Sequence, residues 1–199
     1  MIYLVIVAVI GVLLFVFTQT QKRKHTEVEK DALHLAWEKK DYDAYLAIIN
    51  EKIKTSKNKK EKNVLATLKM QVYVLQKDWA KMDALKAQVK MAMLPKKIRV
   101  TFLSQYIIGL CLADRPREAL KWMEVDAQLL KEAENNGTYK LYIDTLKGLK
   151  AFYQNDLDEA KAIFLELRRK NIPGDLYNPL YKDYLERIRT MQSPAEITE

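Results

Sequence analysis

Residues 148–164 read GLKAFYQNDLDEAKAIF, and the fold turns on this stretch. Ahead of its polar centre, Tyr142, Leu146, Leu149 and Tyr153 recur at helical spacing. Behind it, Leu157, Ala160, Phe164 and Leu167 do the same. Apolar residues three and four apart share one face of an α-helix. The segment therefore predicts two helices packed across a turn that begins at Asp156, and Pro173-Gly174 ends the hairpin.

Working outward, the same alternation recurs. Tyr42, Tyr45, Leu46, Ile49 and Ile53 follow a turn at Asp41. Val64, Leu65, Leu68, Val72 and Leu75 precede a turn at Asp78, with Trp79, Met82, Leu85 and Val89 beyond it. Phe102, Leu103, Tyr106, Ile107, Leu110 and Cys111 precede Asp114-Arg115-Pro116, and Ala119, Leu120, Met123, Ala127 and Leu130 follow. Residues 100–112 hold enough β-branched side chains for a strand, but their three- and four-residue spacing predicts a helix. Thr26-Glu27-Val28-Glu29 has the form of a capping box, opening a helix to about Lys39. KTSKNKKEK, residues 54–62, is too polar for core. Asn178-Pro179 predicts an N-cap with proline at the first helical position, starting a last amphipathic helix suited to capping.

Turns at Asp41, Asp78, Asp114 and Asp156 lie 37, 36 and 42 residues apart. A period in that range predicts an all-α chain built as an α-solenoid, in which each helix pair is covered by its neighbours. Gly148, Asn155-Asp156-Leu157-Asp158-Glu159-Ala160, Phe164 and Pro173 together resemble the tetratricopeptide repeat. Asp114-Arg115-Pro116-Arg117-Glu118-Ala119 and Lys40-Asp41-Tyr42-Asp43-Ala44 are weaker echoes. Asp144, Lys147 and Met82 depart from the pattern, two charges where the family has apolar residues and a long side chain where it has alanine. The motif covers residues 140–173, the architecture residues 26–172. The resemblance implies a concave surface formed by the first helix of each pair, with Tyr106, Tyr142, Leu149 and Phe152 as groove residues for a peptide. Packing within the core is the other reading of each of them.

The N-terminus is of a different kind. Ile2 to Phe17 read IYLVIVAVIGVLLFVF, with no charge. As a helix this run covers roughly 24 Å against a hydrocarbon core of about 30 Å, and Met1 and Thr18 extend it. A cleaved signal peptide would carry a basic segment before the apolar run and small residues after it. Neither is present, so residues 1–18 are expected to be an uncleaved transmembrane helix. Lys22, Arg23 and Lys24 follow at once, which predicts the N-terminus outside and the remainder cytosolic. These three also suit anionic headgroups. The expected organisation is a span over 1–18, a basic linker over 19–25, a helical repeat domain over 26–191 and a tail over 192–199.

Composition narrows the chemistry. The chain has 199 residues, a formal charge of +8, one Cys and two His. A single cysteine excludes an intrachain disulfide framework or a cysteine-rich metal site. His25 and His34 have no further ligands nearby, and Cys111 sits between leucines, where a buried thiol is the default. No GxxxxGK[ST], GxGxxG or GxSxG occurs. No enzyme activity, cofactor or metal is therefore expected. Asn136-Gly137-Thr138 matches a glycosylation sequon, read here as a turn. Lys52, Lys54, Lys57, Lys59, Lys60 and Lys62 crowd one loop. They read as a solvated run, or as a surface for anionic lipid or an acidic segment. No nucleic-acid motif accompanies them, so nucleic acid is not an expected partner.

The expected function is a membrane-anchored scaffold or adaptor that presents a tetratricopeptide-like domain to a protein or peptide in the cytosol. The alternatives are an assembly or quality-control factor, or a structural subunit, of a membrane-associated complex.

Overall fold

A computed structural model describes residues 39–135, 139–170 and 177–193. The expected transmembrane helix, the basic linker with Lys22, Arg23 and Lys24, the helix from Thr26, both histidines, the sequon, Pro173-Gly174 and residues 194–199 lie outside them. The described residues are helical and contain no strand. Among them no helix is long and apolar enough to cross a membrane.

The chain divides into two units, residues 1–51 and 52–199. In the first, Lys40 has a φ of 55° and Asp41 begins helix α1 (Tyr42–Thr55). The Asp41 carboxylate accepts the Ala44 amide at 3.0 Å, which satisfies a backbone donor the helix itself leaves open. Tyr45 and Ile49 are its buried residues.

The second unit holds the last turn of α1 and then α2 (Lys59–Thr67), α3 (Lys69–Leu75), α4 (Trp79–Gln88), α5 (Lys96–Leu112), α6 (Pro116–Val125), α7 (Ala127–Glu134), α8 (Lys140–Tyr153), α9 (Leu157–Lys170) and α10 (Asn178–Gln192). A short 3₁₀ turn, Met91–Met93, links α4 to α5.

One turn design joins α3 to α4, α5 to α6 and α8 to α9. Lys77, Asp114 and Asn155 each have φ near +60°, at 57°, 57° and 63°. The next residue donates its amide five residues back: Asp78 to Tyr73, Arg115 to Leu110 and Asp156 to Ala151, each at 2.9 Å. This is the Schellman arrangement, which ties off the carbonyls at a helix end. The residue that closes one helix also caps the next, since Asp78 and Asp156 accept the Lys81 and Glu159 amides at 3.1 Å. At the turn between α5 and α6 the seats shift by one. Asp114 takes the left-handed position, Arg115 the cap position, and Pro116 starts the helix where no amide is needed. Counted on the left-handed residues 40, 77, 114 and 155, the intervals become 37, 37 and 41.

Helix α5 is the centre of the core. Every residue from Phe102 to Cys111 is buried, and α2, α3, α4, α6, α7 and α8 all pack on it. Helix α9 lies between α8 and α10, where Phe164, Tyr181 and Tyr184 are almost fully enclosed. Each such ring contributes about 1.5–3 kcal/mol by burial. Two glycines set the close approaches. A Cβ on Gly148 would meet the Phe164 ring at 2.7 Å, within one hairpin. A Cβ on Gly109 would meet Met82 Sδ at 2.4 Å, between hairpins. Met82 therefore fits where an alanine was expected because the small residue sits on the facing helix.

Four boundaries differ from expectation. The lysine-rich loop is partly helix: Asn58 accepts the Lys60 amide at 2.9 Å and starts α2 five residues before Val64. The run from Val64 to Leu75 breaks at Leu68, whose amide bonds only three residues back, to Leu65. The run from Ala119 to Leu130 likewise breaks at Asp126. Tyr177, rather than Asn178, flanks α10, so proline takes the second helical position.

Asp156→Ala is expected to lower stability by about 1 kcal/mol through loss of the cap. Asn155→Gly should raise it by up to ~1 kcal/mol, because glycine has no steric cost at positive φ. Both are read by urea unfolding of the full chain. Gly148→Ala should be destabilising by about 1–3 kcal/mol, since the displaced Phe164 ring outweighs the gain in helix propensity. A neutral result would mean that α8 and α9 do not approach through this glycine.

Candidate functional site

The four expected groove residues do not line one groove. Leu149 has no exposed surface, and Phe152 and Tyr106 are only 6% and 5% exposed. Phe152 is enclosed because α10 brings Tyr184 edge-on to it at 4.8 Å, with Tyr153 on another side at 5.2 Å. The Arg187 guanidinium covers the same ring at 4.9 Å. Helix α10 thus covers the Phe152 ring. Tyr142 alone of the four is half-buried, its ring 6.1 Å from Tyr177.

A different set of side chains comes together along the first helix of each hairpin. Gln105 of α5 donates its amide to the Gln71 side chain of α3 at 3.2 Å and to the Tyr142 hydroxyl of α8 at 3.5 Å. Gln71 and Tyr142 are half-buried, so the line is open on one side. Amide and hydroxyl groups at this spacing can hydrogen-bond the backbone of an extended chain. Neither glutamine carried a sequence signal, since a lone Gln in an apolar helix reads as surface.

A second cluster braces α4, α5 and α6 against one another. The Tyr106 hydroxyl donates to Asp83 at 3.1 Å, and Arg115 reaches the other Asp83 oxygen at 2.6 Å. The same guanidinium grips Glu118 with two bonds of 2.7 Å. That holds the Glu118 carboxyl below its usual range and the Arg115 guanidinium above its own. Burial, aided by the Asp83 charge, pushes the Tyr106 phenol up from 10.0 to about 12. Trp122 meets Tyr106 edge-on at 6.0 Å, and the Lys86 ammonium lies 3.9 Å from the Trp122 ring centre. Burial lowers the pKa of Lys86, and the indole face supplies part of the lost solvation. The cluster has no nucleophile paired with a base, and its acids are already engaged.

Cys111 is 4% exposed, and burial pushes its thiol from 9.0 to about 12. Its carbonyl accepts the Tyr153 hydroxyl at 3.5 Å, and Tyr153 and Tyr184 share a hydrogen bond of 2.5 Å. These groups tie α5, α8 and α10 together. Among the described residues no three His, Cys, Asp or Glu gather to hold a metal ion.

Cavities also open on the surface of the described residues. One, of ≈190 Å³, has Met123, Leu130, Ile143 and Leu146 at its base and the Glu134–Lys147 ion pair beside it. Another, of ≈300 Å³, is lined by Lys59, Lys62, Lys69 and Lys90.

The raised ionisation of Tyr106 and Cys111 makes stability depend on pH. Between 9.0 and about 12 for Cys111, and between 10.0 and about 12 for Tyr106, the unfolded chain releases protons that the folded chain retains. Their contribution is therefore complete below these ordinary values and is lost as pH rises toward about 12. Urea midpoints measured across this interval should fall with pH, and the fall should be smaller in Tyr106→Phe. An identical pH profile for that variant would remove Tyr106 from the account.

No protein family, curated protein or solved structure matches this chain.

Proposed function

We propose that the chain is a membrane-anchored adaptor whose helical hairpins form a tetratricopeptide-like α-solenoid holding a protein or peptide partner at the cytosolic face. The observation that carries this reading is the one turn design at Lys77, Asp114 and Asn155. Hairpins set by the same turn present their first helices in succession, and so place equivalent side chains side by side. Gln71, Gln105 and Tyr142 occupy that succession. They are the partner-contacting residues of this proposal, with Tyr142 retained from the sequence reading. The uncharged run from Ile2 to Phe17 serves as the anchor, and Lys22, Arg23 and Lys24 hold the domain on the cytosolic side. The domain acts by binding and not by catalysis.

A photo-crosslinking amino acid introduced in cells at position 71 or 142 of the full chain should give one dominant protein adduct. The same group at Lys161, exposed on α9, should not give it. Adducts of equal pattern at all three positions, or none at 71 and 142 in a folded chain, would sink the adaptor reading.

A further inference from the structure

The lysine-lined cavity lies where α2 and the start of α3 meet the segment after α4. Its rim is built from two separate segments. Lys59, Lys62 and Lys69 come from α2 and the start of α3, and Lys90 from the strand-like residue after α4. Asn63 locks these segments together: its amide donates to the Lys90 carbonyl at 3.0 Å and accepts the Lys90 amide at 2.9 Å. The two segments that carry the lysines are thus tied to each other by side-chain-to-backbone bonds. The base is apolar, formed by Ile53, Val89 and Met93.

None of the four ammonium groups has a carboxylate within ion-pair distance among the described residues, whereas Lys81, Lys96, Lys140, Lys147 and Lys170 all do. Lys69 loses solvation without gaining a partner, and its pKa is lowered by burial alone. Four like charges around ≈300 Å³ repel one another, and the arrangement is relieved by an anion of more than one charge. A single carboxylate is too weakly charged, and its planar geometry is matched by arginine, which this cavity lacks. A phosphate monoester carries about −1.5 to −2 at neutral pH and accepts from several point donors at once. The apolar base then meets the alcohol portion, and the volume is at the small end of ligand cavities.

We propose that this cavity binds a small phosphate monoester with an apolar alcohol portion, the phosphate held by Lys59, Lys62, Lys69 and Lys90 and the apolar part set on Ile53, Val89 and Met93. The ester is either a soluble compound or the headgroup and proximal chain of an anionic lipid, since the two share this chemistry.

The test is calorimetric titration of the full chain in detergent with phenyl phosphate, inorganic phosphate and dihexanoyl phosphatidate. Phenyl phosphate should saturate one site, and inorganic phosphate should bind about tenfold more weakly for lack of the apolar contact. Lys62→Gln and Lys69→Gln should each weaken phenyl phosphate about tenfold, with unfolding midpoints as in the parent chain. Lys161→Gln, which removes an exposed charge elsewhere, should leave binding unchanged. Tighter binding of dihexanoyl phosphatidate than of phenyl phosphate, sensitive to the same two substitutions, assigns the lipid source, and weaker binding assigns the soluble one. Absence of a saturable site for either ester overturns the proposal. So does binding that is equal in the two lysine variants and the parent chain, or equal for inorganic phosphate and the esters.

Discussion

The second unit depends on one constraint: α5 has no side left for water. Ten consecutive residues from Phe102 to Cys111 are enclosed, so a helix must stand on every face of it. Ser104 sits in this run with its hydroxyl unpartnered among the described residues, and Gln105 is kept only because Gln71 and Tyr142 receive its amide. A buried amide without partners would cost about 1–3 kcal/mol. The same bonds that make Gln105 tolerable fix the lateral register of α3, α5 and α8. Core packing and the proposed binding face are therefore a single structural problem, solved by one side chain.

The turns solve the other half of it. A helix hairpin needs its chain to reverse sharply while leaving no carbonyl or amide open, and the Schellman closure followed at once by a cap does both in two residues. Lysine, aspartate and asparagine fill the left-handed seat in place of glycine. The glycines among the described residues, Gly109 and Gly148, stand instead where backbone-to-side-chain distance matters more than φ. Placing the small residue on α5 at one hairpin junction and on α8 within another lets Met82 and Phe164 occupy comparable depth in the core.

Legibility in the sequence follows the range of the interaction. Helices α5, α8 and α9 were readable from spacing because each has a continuous apolar face. The breaks at Leu68 and Asp126 were not, since both lie inside unbroken apolar periodicity and answer to how α5 is approached from the side. The Asp114 turn was placed one residue early because aspartate at Asp41, Asp78 and Asp156 is the cap, whereas here it is the left-handed residue and Pro116 makes a cap unnecessary. Which of the two readings of Tyr106, Leu149 and Phe152 their burial favours was hidden for a related reason. A buried aromatic and a groove aromatic look alike at helical spacing, and Phe152 is decided by Tyr184 and Arg187, which lie more than thirty residues further on. Gln71 and Gln105 were silent because their role exists only as a pair.

Charge is distributed by the same logic. Around α7 to α9 several lysines are paired: Lys147 with Glu134, Lys170 with Asp144 at 3.5 Å and Glu166 at 2.9 Å, and Lys96 of α5 with Glu132. Such exposed pairs contribute little to stability, but they neutralise the surface between consecutive helices. Around α2 and the end of α4 the lysines are left unmatched, although Glu61 is adjacent in sequence. Glu61 is held instead by the Ser56 hydroxyl at 2.6 Å, inside the cap of α2. An acid that could have paired with one of these lysines is thereby turned to a local structural task. Burial takes solvation from Lys69, and no ion pair among the described residues replaces it. What separates this cavity from the other hairpins is that four such lysines gather on it.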